Sequence, residues 1–196
     1  MKAVKLKVVA FNGSPRKKGN TFTAIGIIFE ELNKEGIETE LIQVGRTGIK
    51  PCTACLKCKE TKDGFCVITD DILNDCLKKM YAADGIIIGS PVYFGSLTPE
   101  VKALIDRVGY CSKAGGYLLK RKVGAAIAIA RRQGAGSVIN QINNLFVLSQ
   151  VIIPCSIYWN MALRGASGDI KNDEEGINTF KILGENMAWL LKKLNN

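Results

Sequence analysis

The sequence predicts an α/β fold: a doubly wound sheet of five parallel strands with helices on both faces. Two observations carry this. Segments of strand and helix character alternate along the chain, which implies parallel strands joined by right-handed crossovers. Two strand candidates, Gly85-Ile86-Ile87-Ile88-Gly89 and residues 122–130 (Lys-Val-Gly-Ala-Ala-Ile-Ala-Ile-Ala), are apolar runs without polar alternation, typical of strands buried on both faces. A length of 196 residues suits one domain, 1–196, large enough to bury roughly 70% of its unfolded surface.

Taken in order, residues 4–11 (Val-Lys-Leu-Lys-Val-Val-Ala-Phe) read as the first strand and 21–34 as a helix ending at Gly36. Residues 38–44 alternate and then turn apolar, as a second strand would. A long cysteine-rich loop spans 45–69, and a helix capped by Thr69 or Asp70 runs to about Ala82. After the third strand at 85–89, a helix follows Pro99, tolerated in a first helical turn. The fourth strand is 122–130, a helix covers 136–149, Val151–Cys155 reads as the fifth strand, and 173–194 as the last helix. Five such strands make the flavodoxin-like arrangement, order 2-1-3-4-5, whose ligands bind beyond the carboxyl ends of the strands near the switch between strands 1 and 3. The functional loops are therefore expected at 12–21, 89–97 and 131–136.

Composition narrows the class. No stretch reaches the ~20 apolar residues of a membrane-spanning helix, and Met-Lys-Ala-Val-Lys-Leu-Lys leads into a strand without the apolar core of a signal peptide. A cytoplasmic protein away from the membrane is expected. Seven cysteines, an odd number, argue against a disulfide framework. The net charge of +9 is spread along the whole chain and comes without a helix-turn-helix, zinc-finger or RNA-binding signature, so no nucleic acid is expected as a partner. The charge reads as a solvated basic surface, or as a field that speeds docking of an anionic cofactor or acidic protein. With no histidine in the chain, any soft-metal site must be built from cysteine.

Between the first strand and helix lies Asn12-Gly13-Ser14-Pro15-Arg16-Lys17-Lys18-Gly19-Asn20-Thr21. Gly13 and Gly19 permit tight turns, Ser14, Asn20 and Thr21 bring short polar side chains, and Arg16, Lys17 and Lys18 bring charge. The helix that follows points its N–H groups and positive dipole end into the loop. This suits a phosphate monoester. Neither Gly-x4-Gly-Lys-[Ser/Thr] nor Gly-x-Gly-x2-Gly is present, which disfavours nucleoside triphosphate hydrolysis and Rossmann-type dinucleotide binding.

At this loop the chain resembles the NADPH-dependent FMN reductases of flavodoxin-like fold. Gly-Ser-Pro-Arg-x2-Gly-Asn-Thr is similar to their phosphate loop, and Gly89-Ser90-Pro91-Val92-Tyr93-Phe94-Gly95 to their second flavin loop. Residues 130–134 (Ala-Arg-Arg-Gln-Gly) fall where a third belongs. The resemblance implies that Ser14, Arg16, Lys18, Asn20 and Thr21 hold the FMN phosphate. It implies that Pro91, Val92, Tyr93, Phe94 and Gly95 line the flavin ring and ribityl chain, and that Arg131, Arg132, Gln133 and Gly134 reach the pyrimidine edge. A flavin needs an apolar or aromatic wall and backbone donors near its ring, which Tyr93, Phe94 and their small neighbours can supply.

Cys52, Cys55, Cys58 and Cys66 form a Cys-x2-Cys-x2-Cys-x7-Cys run. Ferredoxins also use Cys-x2-Cys-x2-Cys, but with a nearer fourth cysteine followed by proline; here Val67 follows Cys66. The spacing agrees with the compact pattern of the iron–sulfur flavoproteins, a branch of the same group, and that resemblance implies a [4Fe–4S] cluster on the loop after strand 2. Two other readings stand beside it: cysteines without metal, and a structural zinc site, although zinc sites usually pair two short Cys-x-x-Cys knuckles. Arg46, Lys57, Lys59 and Lys62 belong to a solvated loop or offset cluster charge and meet an acidic ferredoxin. Cys76, Cys111 and Cys155 read as buried small hydrophobes.

The expected function is FMN-dependent oxidoreduction, with NAD(P)H as hydride donor and free flavin, a quinone or another small electrophile as acceptor. A ferredoxin-linked electron carrier without such turnover and a thiol-based redox sensor are the alternatives. Flavin carries the chemistry itself, so no catalytic side chain is nominated. Residues 109–121 read as a long loop. The resemblance places FMN at a subunit interface, with Tyr110 or Tyr117 covering a neighbour's flavin and the segment Ser156–Asp169 packing against a partner. A homodimer or homotetramer is expected.

Overall fold

A computed structural model describes residues 5–163 and 169–195. Val4 of the first predicted strand, and Gly165 and Gly168 of the segment assigned to subunit packing, lie outside the described residues. Strands β1 (Lys7–Asn12), β2 (Glu38–Gln43), β3 (Gly85–Pro91), β4 (Val123–Ala130) and β5 (Met161–Leu163) form one parallel sheet in the order β2-β1-β3-β4-β5. This is the flavodoxin-like order that the alternation implied.

Helices α1 (Asn20–Lys34) and α6 (Glu174–Leu194) cover one face, and α3 (Leu73–Ala82), α4 (Pro99–Ala114) and α5 (Ala135–Leu148) cover the other. The register puts Val9 beside Ile86, Ala10 beside Ile87 and Ile87 beside Ala125, so successive residues feed opposite cores. Val9, Phe11, Ile86, Ile88, Ala126 and Ala128 join the α3–α5 core, while Val8, Ala10, Ile87, Ala125 and Ile127 join the α1–α6 core. Both faces of β3 and β4 are therefore covered, which is why neither strand alternates in polarity. Among the described residues, no helix is long and apolar enough to cross a membrane.

Four expectations are corrected. The fifth strand is Met161–Leu163 instead of Val151–Cys155. Ile152 makes a single bridge to Val123, with its amide donating to Lys122 O at 2.8 Å. Pro154 has no N–H to extend the ladder. The chain then leaves the sheet and returns where Ala128 N donates to Asn160 O at 3.0 Å. Cys155 is consequently exposed.

The helix expected from Asp70 begins at Leu73, because Asp71 turns its carboxylate to the amides of Leu73 and Lys50, each at 3.0 Å. The cysteine-rich loop contains a short helix, α2 (Lys57–Thr61), entered through Leu56 (φ 58°) and left through Lys62 (φ 54°). The long loop expected at 109–121 is helical as far as Ala114, because Cys111 and Ser112 are drawn into the protein.

The cofactor cleft and the cysteine recess

The loops after β1 and β3 are stitched together at their bases. Gly13 N donates to Gly89 O at 2.8 Å. A β-carbon on Gly13 would lie 2.1 Å from Val101 Cγ2, so only glycine permits this approach. Thr98 fastens the pair: its hydroxyl donates to Gly13 O at 3.0 Å and its amide donates to Ser90 Oγ at 3.1 Å.

The β1 loop is also braced from β2. Asn12 Oδ1 accepts from Ser14 N at 3.1 Å, and the Asn12 side-chain amide donates to Gln43 Oε1 at 2.9 Å. Gln43 Nε2 in turn donates to Ser14 O at 2.6 Å and Gly45 O at 2.9 Å. Gln43 and Thr98 were not singled out from the sequence. For Gln43 a signal existed, a polar residue closing the apolar end of a strand.

Above these bonds, at the carboxyl ends of the strands, Ser14, Arg16, Asn20 and Thr21 face Pro91, Val92 and Tyr93 across a hollow of ≈ 140 Å³. Ile129 and Arg131 complete it. An adjoining hollow of ≈ 310 Å³ shares Val92 and Arg131 and is bounded by Phe94, Gly95, Arg132 and Gln133. Together they reach the size range of small-molecule sites. Arg16, Arg131 and Arg132 line the two hollows, and among the described residues no carboxylate does. That donor set fits an anionic ligand such as a phosphate monoester. Lys18 is exposed and lines neither hollow.

Gly134 acts through the backbone. It opens α5 at φ +92°, and a β-carbon there would lie 2.7 Å from Val92 Cγ1, so its bareness lets the β4 loop close on the β3 loop. Tyr93 and Ser96 exchange backbone hydrogen bonds at 2.8 and 3.0 Å around a two-residue turn, Phe94 (φ 48°) and Gly95 (φ 78°). Left-handed conformation at both central residues marks a hairpin turn that favours asparagine or glycine, yet Phe94 occupies the first position with its ring fully exposed beside the second hollow.

The second site lies on the α4 side of the sheet. Cys52, Cys55, Cys58 and Cys66 all line one recess, closed by Arg107, Tyr110 and Cys111 of α4. The loop wraps this recess through left-handed residues at Ala54, Leu56 and Gly64. Gly64 has no room for a side chain, since a β-carbon would lie 2.3 Å from Leu118 Cδ1, and its carbonyl accepts from the Tyr81 hydroxyl at 2.5 Å. Burial pushes the Tyr81 phenol up, so it remains a donor.

Arg107 is buried beneath the recess. Its Nε donates to Cys66 Sγ at 3.3 Å, Nη1 to Lys50 O at 3.1 Å and to Asp71, and Nη2 to Ile68 O at 2.9 Å. Cys111, one helical turn on, lies against Cys58 and Cys66. Burial first, and then the neighbouring Cys66 and Cys58, push its thiol far up. Cys111 is thus buried as expected but belongs to the recess, a proximity that sequence spacing does not carry. Cys76 is an ordinary core thiol, pushed up to about 12 by burial.

Among the described residues, no three His, Cys, Asp or Glu side chains converge on a single-ion site. All four cysteines nevertheless line the one recess. A lone tetrahedral ion needs every sulfur at about 2.3 Å from one centre, whereas a polynuclear group presents a separate metal to each thiolate. Four cysteines on one recess, the N–H donor at Cys66 and the cover of α4 are a donor set that suits a thiolate-bound group.

A third hollow, ≈ 680 Å³, runs between α4 and α5 next to the recess. Tyr110, Tyr117, Lys59, Lys102 and Lys113 line it, and Tyr110 borders both.

The sequence pattern of the NADPH-dependent FMN reductase family matches residues 6–163. An iron–sulfur flavoprotein of Methanocaldococcus jannaschii is 39% identical over 194 residues, covering 95% of this chain and 98% of its own. Another, of Archaeoglobus fulgidus, is 34% identical over 203 residues, covering 97% and 98%. In fold, the chain is similar to the crystal structure of RosB with a bound 8-demethyl-8-formylriboflavin-5′-phosphate intermediate, with a TM-score of 0.72, 20% identity, and coverage of 96% of this chain and 80% of that one.

Proposed function

This chain belongs to the NADPH-dependent FMN reductase family, on the branch of its iron–sulfur flavoproteins, and from that premise we propose that it passes electrons between NAD(P)H or a reduced protein carrier and a small acceptor through FMN and a [4Fe–4S] cluster. The observation that carries the reading is the convergence of the β1, β3 and β4 loops on a cleft lined, among the described residues, by Arg16, Arg131 and Arg132 without a carboxylate.

In this reading Ser14, Arg16, Asn20 and Thr21 hold the FMN phosphate, aided by the dipole of α1. Pro91, Val92 and Tyr93 wall the ring on one side, and Arg131, Arg132 and Gln133 orient its polar edge. RosB, of similar fold, carries a bound derivative of riboflavin phosphate, which supports a flavin as the ligand class. When bound, FMN supplies the hydride and single-electron chemistry, so the chain needs only to bind, orient and shield it. Cys52, Cys55, Cys58 and Cys66 hold the cluster, and the names of both relatives support that assignment. The acceptor class is a quinone, free flavin or similar small electrophile.

The groove's lysines, Lys59 and Lys113 with Lys102 paired to Asp106, favour a second reading, in which a ferredoxin docks beside the recess and NAD(P)H is not used. Tyr110 and Tyr117, exposed along the same groove, are the residues for contact between copies of the chain in a homodimer or homotetramer. A cytoplasmic site for this chemistry follows from the reducing conditions that free thiols require.

The test is anaerobic purification with FMN, iron and acid-labile sulfide assayed on one sample. Flavin with about four irons and four sulfides per chain is expected. Flavin alone removes the cluster from the proposal and leaves a plain FMN reductase. NADH, NADPH and reduced ferredoxin are then compared as donors by stopped-flow bleaching of the flavin.

A further inference from the structure

Among the described residues, Arg107 heads the large side chains buried below 2% exposure. A buried ion pair is weak evidence for stability, because well-packed apolar residues often serve as well. Its partner Asp71 takes only part of a guanidinium that presents five N–H donors. Two more reach the two feet of the cysteine loop: Lys50 O, two residues before Cys52, and Ile68 O, two residues after Cys66. The remaining direction, Nε–H, faces Cys66 Sγ at 3.3 Å.

Among the described residues, Cys66 is the thiol of the run that a side-chain N–H reaches. Its backbone is held at both ends by Asn74, with Cys66 N to Oδ1 at 2.9 Å and Nδ2 to Cys66 O at 2.8 Å. Peptide and sulfur are thereby fixed from two different helices. Cys52 and Cys55 sit on the loop before α2, and Cys58, on α2, meets Cys111 of α4.

We propose that Arg107 is a positioning residue that fixes Cys66 as a ligand and raises the reduction potential of the iron–sulfur group by donating Nε–H to its sulfur. The inference rests on the reading of the recess as a [4Fe–4S] site. Reduction adds one electron, and hence negative charge, to the group and its thiolates. A donor on a ligand sulfur, attached to a buried cation, stabilises that more negative form over the oxidised one, and hydrogen bonds to the sulfurs are one of the levers that set cluster potentials. Arg107 thereby makes the cluster a better electron acceptor than the same four cysteines without it.

Two measurements test this. Wild-type protein is first assayed for iron and sulfide; their absence ends the iron–sulfur reading, and this inference with it, before any substitution is made. Arg107→Lys, which keeps a cation opposite Asp71 but loses the fork and its Nε, is then titrated anaerobically by absorbance and EPR. A shift of the cluster to lower potential at wild-type iron content is expected. An unchanged potential overturns the proposal. In parallel, wild-type protein grown with ¹⁵N-arginine is reduced and measured by pulsed EPR, which does not depend on the variant folding. Coupling from one arginine nitrogen to the cluster is expected, and its absence from reduced, cluster-bearing wild-type protein overturns the assignment.

Discussion

Asn74, in the first turn of α3, accepts a hydrogen bond from the Cys66 amide at 2.9 Å and returns one to the Cys66 carbonyl at 2.8 Å. A side-chain amide thus does for Cys66 what a neighbouring strand does inside a sheet, in a loop that has no strand beside it. Asn74→Ala removes both bonds, each worth about 1 kcal/mol, and leaves the Cys66 peptide without its partner. The expected result is loss of iron during purification with FMN content unchanged. Wild-type iron in this variant would show that the rest of the loop suffices to hold Cys66.

Asp71 ties the same region to pH. Burial by itself raises its carboxyl, but hydrogen bonds from Arg107 and from the Lys50 and Leu73 amides more than reverse this and hold it below the ordinary carboxylate range. A depressed carboxylate contributes stability that is present above its unfolded pKa and lost as pH falls through the folded one. Asp71→Asn should therefore cost about 3–5 kcal/mol at neutral pH, where it leaves a buried guanidinium unpaired. Urea denaturation from pH 7 down to pH 3 should show the gap between variant and wild type closing in acid. A gap that stays constant would mean that the carboxylate charge is not its source.

Phe94 sits at φ 48° with its ring in solvent. A left-handed β-carbon costs of order 1 kcal/mol, and nothing in the packing recovers it. Phe94→Gly is expected to raise the unfolding free energy by about that amount while weakening FMN retention, read by fluorescence on dilution. A variant that is less stable, or one that holds FMN as tightly as wild type, would separate the turn from the cleft.

Gly134→Ala tests the closure of the two loops. The added methyl meets Val92 Cγ1 at 2.7 Å and the backbone stays at φ +92°, so a cost of about 1–3 kcal/mol is expected. The strain falls on the wall between the two hollows, and FMN affinity should drop with stability. Destabilisation without loss of affinity would place the strain elsewhere.

Much of this fold is written locally. Ile86-Ile87-Ile88 and Ala125–Ala130 announce doubly covered strands because each residue faces one of two cores. Gly13, Gly19 and the basic residues between them announce a tight basic loop at the end of the first strand because the turn and the charge lie within a few positions. The fifth strand misled for an equally local reason: Val151–Cys155 has strand composition, but Pro154 cannot extend the ladder and β4 pairs instead with Met161–Leu163.

The sequence by itself determined the α/β alternation, the three loops that meet at the strand ends and the four-cysteine spacing, all of which depend on residues near one another in the chain. Only the tertiary structure decided what stands around those cysteines. Arg107 is 41 positions from Cys66, Asp71 is 36 from Arg107, and Cys111 reaches the recess because α4 continues through a segment whose composition reads as loop. Such contacts are set by how helices pack on a closed sheet, where burial selects partners by position in space, and no periodicity in the chain records them.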